Sequence, residues 1–241
     1  MSKSIRKLII FTIPLLVAGF IVSVLYKWNY IQHRQYIPDE FNIPYFSSGA
    51  DYNKNHVDDA KEILQAAKDY MGGNPKYEPL REYDGGWPTG SSGSNGDVVA
   101  QALRGAGYDL RVLINQDIAK NPSLYEDVAA GDNIAFRDPE AQYIFFSRYA
   151  EPHSLDIYDK NEWQAGDIVF FEKKHCAIVA DKVNENGVRF IIHHFWKYQG
   201  GWFQDVLETG AWGKVIGHYR ISEKITAPKT DFTSVKTRVM E

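Results

Sequence analysis

The segment GSNGDVVAQALRGAGYDL, residues 93–110, lies where a loop rich in glycine and serine opens into a helix. The loop covers residues 84–96, and we predict the helix from Asp97 to about Gly105. Ser94 precedes Asp97 by three residues, which is the spacing of a capping box with Asp in place of the usual Glu. The unpaired N–H groups of the first turn and the helix dipole favour a negative charge at this junction.

Two further helices are predicted beside this junction. The first begins near Val57 and ends at Gly72-Gly73, because apolar residues between these points follow the i, i+3, i+4 pattern. The second runs through Val112 to Ala119 and is closed by Asn121-Pro122.

After about residue 165 the apolar pattern changes to one typical of strands. The segments DIVFF (167–171), HCAIVA (175–180) and VRFIIHH (188–194) are predicted strands, and NENG (184–187) predicts a hairpin turn between the last two. Residues 215–221 form one more predicted strand. Helices followed by a meander of strands predict an α+β domain in which helices pack on an antiparallel sheet.

The N-terminal segment LIIFTIPLLVAGFIVSVLY, residues 8–26, carries no charge and reaches the length of a membrane span. Lys3, Arg6 and Lys7 precede it, which favours a cytoplasmic N-terminus and an extracytoplasmic main domain, a single-pass protein of the cell membrane. A cleaved signal peptide is the alternative. The small residues 17–19 lie inside the apolar run, where a cleavage site is not expected, so we favour an uncleaved transmembrane helix.

Composition excludes several classes of protein. The 241 residues include 27 Lys and Arg against 31 Asp and Glu, so no basic excess is available to bind nucleic acid. One cysteine rules out an intrachain disulfide and Cys₂His₂-type zinc motifs. We therefore divide the chain into a cytoplasmic N-terminus with membrane anchor (1–27), a stalk (28–56), one domain (57–222) and a tail (223–241).

The order of the elements is similar to that of papain-type cysteine peptidases. Such enzymes place the nucleophile at a helix N-terminus, the basic His on a facing strand, and an orienting polar residue on the next strand. In this chain the helix begins beside Ser94-Asn95, His175 opens one predicted strand, and His193-His194 ends the next. The two adjacent histidines face opposite sides of a strand, so one of them can line the cleft.

Specific motifs strengthen this similarity. Residues 83–118 resemble a bacterial family of envelope domains in the NlpC/p60-like, papain-fold superfamily of cell-wall amidases. The motif Gly-x-Cys-Thr-Asp-Val-Val is matched by residues 93–99, Arg-x-x-Gly-x-Asp-Leu by residues 104–110, and Gly-His-Tyr-Arg by residues 217–220. The resemblance extends over residues 57–222. It implies a papain-like domain with a site for the stem peptides of peptidoglycan.

At one position of the motif this chain differs from the family. Aligned on Asp97, the nucleophilic Cys of the family falls on Asn95, whereas His175 keeps the position of the base and His193 that of the orienting residue. A carboxamide has no ionisable nucleophile and cannot form an acyl-enzyme by the usual route. The chain is therefore expected to be a catalytically degenerate amidase that binds peptidoglycan stem peptides or an envelope protein without cutting them.

An active hydrolase is the alternative. Ser94 adjoins the vacated position and is the substitute nucleophile that the sequence offers, although we favour a role for it as the helix cap, in the capping box with Asp97. Cys176 follows His175 on a strand and is expected to face the core. Three converging histidines, drawn from His175, His193, His194 and His218, could instead hold a metal that activates water.

The residues that bind the ligand are predicted from their charge or aromatic character. We expect Asp97, Trp87 and Trp196 to contribute to substrate binding, because an indole can stack on a sugar or cover a peptide groove. No cofactor is expected. The predicted partners are a peptidoglycan peptide or an envelope protein, and the membrane through the N-terminal helix.

Overall fold

The computed structural model describes residues 2–88, 92–128, 131, 133–199 and 202–222. The predicted tail, 223–241, lies outside the described residues. The helices are α1 (Lys3–Lys27), α2 (Asp59–Gly72), α3 (Asn95–Gly105), α4 (Leu110–Lys120) and α5 (Pro139–Tyr149). The strands are β1 (Lys76–Tyr77), β2 (Ser92–Gly93), β3 (Glu151–Pro152), β4 (Ile168–Phe171), β5 (His175–Val183), β6 (Arg189–Ile192), β7 (Phe203–Gln204) and β8 (Val215–Arg220). The predicted α+β class is confirmed.

The larger sheet has six strands in the order β3-β8-β4-β5-β6-β7, and every neighbouring pair is antiparallel. Side chains alternate between the two faces of the sheet along each strand, and both faces carry apolar residues. On β5, Cys176 and Ile178 enter the core beneath the helices, whereas Ala177 and Val179 enter a second core on the opposite face. The predicted turn at residues 184–187 joins β5 to β6.

The helices α2 to α5 cover one face of this sheet. Leu103 of α3 and Phe146 of α5 are buried in the same core as Ile178 of β5. α2 and α3 approach so closely that a Cβ on Gly105 would lie 2.2 Å from the Cβ of Ala66. Glycine is therefore the residue that permits this packing. α3 is held between α2 and the sheet, and its first residue lies beside the first residue of β5.

α5 is an addition to the predicted elements. Asp138 caps it by accepting a hydrogen bond from the N–H of Glu140 at 2.9 Å, and Pro139 occupies its first position. This Asp-Pro start is favourable because a carboxylate satisfies a free N–H group and proline has none to satisfy. α5 buries Phe145 and Phe146 in the core.

Several residues of the segment predicted as a stalk, residues 28–56, contact the domain. Tyr36 pairs with Val183 of β5 through both backbone groups, at 2.9 and 3.1 Å. Ile43 is only 2% exposed. Asn29 exchanges two hydrogen bonds with the backbone of Asp205, donating from Nδ2 at 3.3 Å and accepting at 3.0 Å. These contacts are tertiary and leave no periodic pattern in the sequence.

α1 differs from α2, α3, α4 and α5 because none of its residues is buried. Its mean hydropathy over the most apolar window is 2.8, and among the described residues it is the one helix long and apolar enough to cross a membrane. An apolar helix of this length without a packing partner is unfavourable in water. α1 is therefore consistent with a single-pass membrane protein.

Candidate functional site

Asn95, His175 and His193 meet at one point of the fold. Nδ2 of Asn95 lies 2.9 Å from Nδ1 of His175, and Nε2 of His175 lies 2.8 Å from Nδ1 of His193. Asn95 opens α3, His175 opens β5, and His193 follows the last residue of β6. The three residues that the sequence analysis aligned with a catalytic triad are thus in hydrogen-bond contact.

A fourth residue extends this row. Nε2 of His193 lies 2.8 Å from Oε1 of Gln204, which β7 holds beside β6 through the pairing of Ile191 with Gln204. A carboxamide oxygen only accepts hydrogen bonds, so Nε2 of His193 carries the proton and its Nδ1 accepts from His175. Nδ1 of His175 then accepts from Asn95. The hydrogen bonds run in one direction, from Asn95 to His175, His193 and Gln204.

Burial keeps both imidazoles neutral. His175 and His193 are 3% and 0% exposed. Burial lowers the pKa of His175 well below its usual value, and repulsion from His193 adds to this effect. Burial also lowers the pKa of His193 to about 4, although its hydrogen bond with Gln204 acts in the opposite direction. Two neutral rings are what the one-directional row of hydrogen bonds requires.

The side chain of Asn95 has every polar atom engaged. Nδ2 donates to Nδ1 of His175 and, at 3.2 Å, to the carbonyl oxygen of Lys174. Oδ1 accepts from the N–H of Gly96 at 2.9 Å. Gly96 itself cannot carry a side chain, since a Cβ there would lie 1.8 Å from the carbonyl oxygen of Arg137. The carboxamide is fixed in orientation and offers no nucleophile.

Ser94 and Asp97 form the predicted capping box at the start of α3. The carboxylate of Asp97 accepts from the N–H of Ser94 at 2.6 Å and from its hydroxyl at 3.0 Å. Ser94 is 3% exposed, and its hydroxyl is directed to a carboxylate rather than into the row of histidines. The structural role foreseen for Ser94 is confirmed.

The surroundings of Asp97 do not favour the substrate-binding role that we expected for it. It is fully buried and forms an ion pair with Arg137, whose Nε and Nη2 contact Oδ1 and Oδ2, the latter at 2.8 Å. Arg137 donates further to the carbonyl oxygen of Arg81 at 2.7 Å and lies over the ring of Tyr83. A carboxylate enclosed in this way stabilises the base of the loop and is closed to ligands.

The two predicted tryptophans lie in different places. Trp87 packs edge-on against Phe136 and under the guanidinium of Arg104. Arg104 is near the last residue of α3, whereas Asn95 is its first, about 14 Å away along the axis. The ring contacts of Trp87 are thus with Phe136 and Arg104 rather than with the rings of His175 and His193. Trp196 is 47% exposed and follows Phe195 at the edge of the site.

Two aromatic residues of the site were missed by the sequence analysis. Trp212 stacks on the ring of His175 with 4.1 Å between centroids, and Phe195 lies 5.1 Å from the ring of His193. Phe195 begins the aromatic run Phe195-Trp196-Lys197-Tyr198. Trp212 lies in the turn before β8 between Gly210 and Gly213, and nothing in its local sequence connects it with His175.

A pocket of about 150 Å³ lies beside these rings. Phe195, Gln204 and Trp212 line it on the site's side, and Lys27 and Trp28 line it from the end of α1. Nε1 of Trp212 is buried and has no hydrogen-bond partner among the described residues. A buried N–H without an acceptor is unfavourable.

Cys176 is the buried structural cysteine that strand alternation predicts. It is 0% exposed, its Sγ donates to Oε1 of Gln142 at 3.4 Å, and burial raises the pKa of the thiol well above its usual value. Nε2 of Gln142 donates to the carbonyl oxygen of Gly96 at 2.8 Å. The pair thus supports the start of α3 from beneath.

The histidines do not converge as a metal site requires. Both ring nitrogens of His175 and His193 are engaged in the row described above. His218 contacts Asp167 and the carbonyl oxygen of Ser154, each within 3.0 Å, in a separate buried cluster. His194 faces Tyr77. Within the described part of the chain, no three of the His, Cys, Asp and Glu side chains are grouped to hold a metal ion.

Comparison with known proteins places this domain in a family. The family model with the description "Domain of unknown function (DUF1287)" matches residues 57–221. A protein of Escherichia coli (strain K12), named "Uncharacterized protein YijF", is 30% identical over 169 residues, which cover 66% of this chain and 80% of that protein. No solved structure matches the chain. The match covers the whole domain that carries Asn95, His175 and His193, and the chain belongs to the DUF1287 family.

Proposed function

We propose that this protein is a membrane-anchored, extracytoplasmic domain with an NlpC/p60-like, papain-type fold that binds peptidoglycan stem peptides without hydrolysing them. The sequence resemblance supports the choice of ligand. The geometry of the site supports the absence of hydrolysis. The observation that carries it is the contact between Asn95 and His175. A carboxamide donates a hydrogen bond at the point where a papain-type enzyme needs a thiolate.

The hydrogen-bond pattern supports a binding role over a catalytic one. A general base must accept a proton from a nucleophile, and Nδ1 of His175 is instead occupied by an amide N–H that has no tendency to ionise. The second N–H of Asn95 is held by Lys174. The remaining groups, namely neutral imidazoles, stacked aromatic rings and the N–H of Trp212, are those of a recognition site.

The pocket supports a peptide ligand. It lies against Trp212 and Phe195, whose rings suit an apolar peptide side chain or backbone. The unpartnered Nε1–H of Trp212 suits a peptide carbonyl oxygen. Gln204, which anchors His193, lines the same pocket. A bound peptide would therefore lie directly beside the row of hydrogen bonds.

The hydrolase alternative is less favoured by the same observations. Ser94 is buried and donates its hydroxyl to Asp97, which is itself paired with Arg137. Activation of this serine by His175 would require the capping box to open and Asn95 to leave. A metal held by histidines would require both rings of the row to give up their hydrogen bonds.

The test uses the full chain in detergent micelles, because residues 29–43 contribute buried contacts to the domain. Calorimetric titration with a synthetic stem peptide is expected to show binding. Trp212→Phe, which removes the indole N–H, should weaken it by roughly three- to tenfold, the effect of one hydrogen bond. Trp87→Phe is the matched control and should bind like the wild type.

Mass spectrometry of intact peptidoglycan incubated with the same protein tests the second half of the proposal. No new fragment is expected. Release of stem peptides by the wild type would show that the protein is an active hydrolase. Absence of any binding to stem peptides would show that the ligand is wrong.

A further inference from the structure

An exposed aromatic surface lies at the point where α1 ends. One part comes from the residues that follow α1, and the other from the loop between β6 and β7. The side chains are between 39% and 56% exposed, which is unusual for large apolar residues so close together. We name them the aromatic surface, and they are Trp28, Tyr30, Ile31, Trp196 and Tyr198.

The two parts of the aromatic surface are joined. The hydroxyl of Tyr30 donates to the carbonyl oxygen of Tyr198 at 2.5 Å, and the rings of Trp196 and Tyr198 pack edge-on at 4.9 Å. Asn29, between Trp28 and Tyr30, is bound to the backbone of Asp205. The chain leaving α1 is thus fixed to the domain immediately, without a spacer.

His33 secures the same junction. One ring nitrogen contacts Oδ2 of Asp205 at 2.9 Å, and the other contacts the carbonyl oxygen of Tyr26 in the last turn of α1 at 2.7 Å. Its ring also stacks on that of Tyr26, with 3.9 Å between centroids. The end of α1 and the strand β7 are therefore held in one arrangement, and the aromatic surface continues directly from the apolar helix.

The composition of the aromatic surface fits the headgroup layer of a lipid bilayer. Tryptophan and tyrosine place an apolar ring in the lipid and a polar atom in the wet layer above it. Lys27 precedes Trp28 and is an exposed cation, and Lys197 is a second exposed cation that lies over the ring of Tyr198. Cations at this depth attract anionic lipid phosphates. Because the aromatic surface follows α1 directly, a bilayer that holds α1 brings its headgroup layer to this surface.

We propose that the aromatic surface rests in the headgroup layer of the membrane, so that the domain lies on the bilayer instead of being raised above it. The pocket beside Trp212 is lined by Lys27 and Trp28, and it therefore opens at the lipid–water boundary. This proposal concerns how the domain is seated. It holds or fails independently of the ligand assigned above.

The experiment uses the full chain in nanodiscs of phosphatidylethanolamine and phosphatidylglycerol, loaded with one chain per disc. Lys197→Cys places a thiol within the aromatic surface for an environment-sensitive fluorophore. The native Cys176 is fully buried and stays unlabelled. The matched control is Leu124→Cys, which is 45% exposed and lies in the turn after α4, outside the aromatic surface.

Nitroxide groups on the lipid headgroups quench a fluorophore that lies among them. Quenching is expected to be at least severalfold stronger at position 197 than at position 124, with a blue-shifted emission at position 197. Trp196→Ser and Tyr198→Ser introduced together should reduce the quenching. Equal, weak quenching at both positions would overturn the proposal. Shielding of position 197 that appears only with two chains per disc would also overturn it, because a second copy would then cover the surface.

Discussion

Nδ2 of Asn95 lies 2.9 Å from Nδ1 of His175, so a side chain that cannot ionise donates a hydrogen bond to the ring that the sequence aligns with a catalytic base. The distance is that of an ordinary hydrogen bond, and the partner groups on either side are satisfied. His193 and Gln204 continue the row. The four side chains therefore satisfy one another through hydrogen bonds between neutral groups, and none of them is poised to transfer a proton.

Replacing Asn95 with cysteine is expected to create a reactive thiol. The new sulfur would stand at the N-terminus of α3 beside His175, and both features lower the pKa of a thiol. The midpoint of its alkylation rate against pH should lie below about 8, under the usual cysteine value of about 8.5. Iodoacetamide labelling followed by mass spectrometry measures this rate.

Leu124→Cys is the control for that measurement, since it provides an exposed thiol that lies outside the site. Cys176 should remain unlabelled in both proteins, because it is buried and its pKa is raised. Identical pH profiles for cysteines at positions 95 and 124 would show that residue 95 does not occupy a nucleophile position.

Acid is expected to destabilise the fold through the buried histidines. Burial lowers the pKa of His193 from 6.5 to about 4. Between pH 6.5 and about 4, His193 is protonated in the unfolded chain but neutral in the folded chain. The free energy of unfolding therefore falls as the pH drops through this range. At about 1.4 kcal/mol per pKa unit, this residue contributes roughly 3 kcal/mol across the window. Urea denaturation at several pH values measures the change.

His193→Asn serves as the comparison for the pH series. This variant should be less stable than the wild type near neutral pH, because it breaks the hydrogen bonds to His175 and Gln204. Its stability should nevertheless depend less steeply on pH between about 6.5 and 4. The same slope in both proteins would mean that His193 titrates normally and is not enclosed as described.

Asp97→Asn is expected to destabilise the protein by about 3–5 kcal/mol, because it leaves the buried guanidinium of Arg137 without its charge partner. Asp181→Asn breaks the half-exposed pair with Lys68 and should cost within about 1 kcal/mol. Thermal or urea unfolding of the two variants compares them. Similar, small losses in both would indicate that Asp97 is accessible to solvent, as a ligand-binding residue would be.

Ile43→Ala tests whether residues 28–56 belong to the domain. Ile43 is 2% exposed, and its truncation should cost about 2–5 kcal/mol. Ile37→Ala changes a residue that is 47% exposed, and its effect should stay within about 0.5 kcal/mol. If the segment were a spacer, both substitutions would leave the unfolding midpoint unchanged.

The parts of the site that could be predicted are those that depend on local sequence. The loop-to-helix junction at Ser94 and Asp97 carries its own capping signal, and the alternation of β5 separates His175 from Cys176. The alignment of Asn95 with His175 and His193 came from the resemblance to a known family and not from the local pattern of the sequence. The start of α3 was predicted two residues late, at Asp97 instead of Asn95, which is the usual uncertainty at a helix end.

The rest depends on tertiary pairing. Gln204 lies in a strand of two residues, too short to show alternation, and it reaches His193 only because β7 pairs with β6. Trp212 stacks on His175 from a turn between two glycines. Asp97 was assigned to the ligand because its partner, Arg137, is forty residues away, and the burial of that pair cannot be read from either local segment.

The most direct measurement of the site is ¹⁵N NMR of the full chain with labelled histidine, with signals assigned through His175→Gln and His193→Asn. At pH 7 both rings should be neutral with the proton on Nε2, and both should remain so on acidification to about pH 5. A ring of His175 that is protonated at pH 7, or that carries its proton on Nδ1, would contradict the hydrogen bond from Asn95.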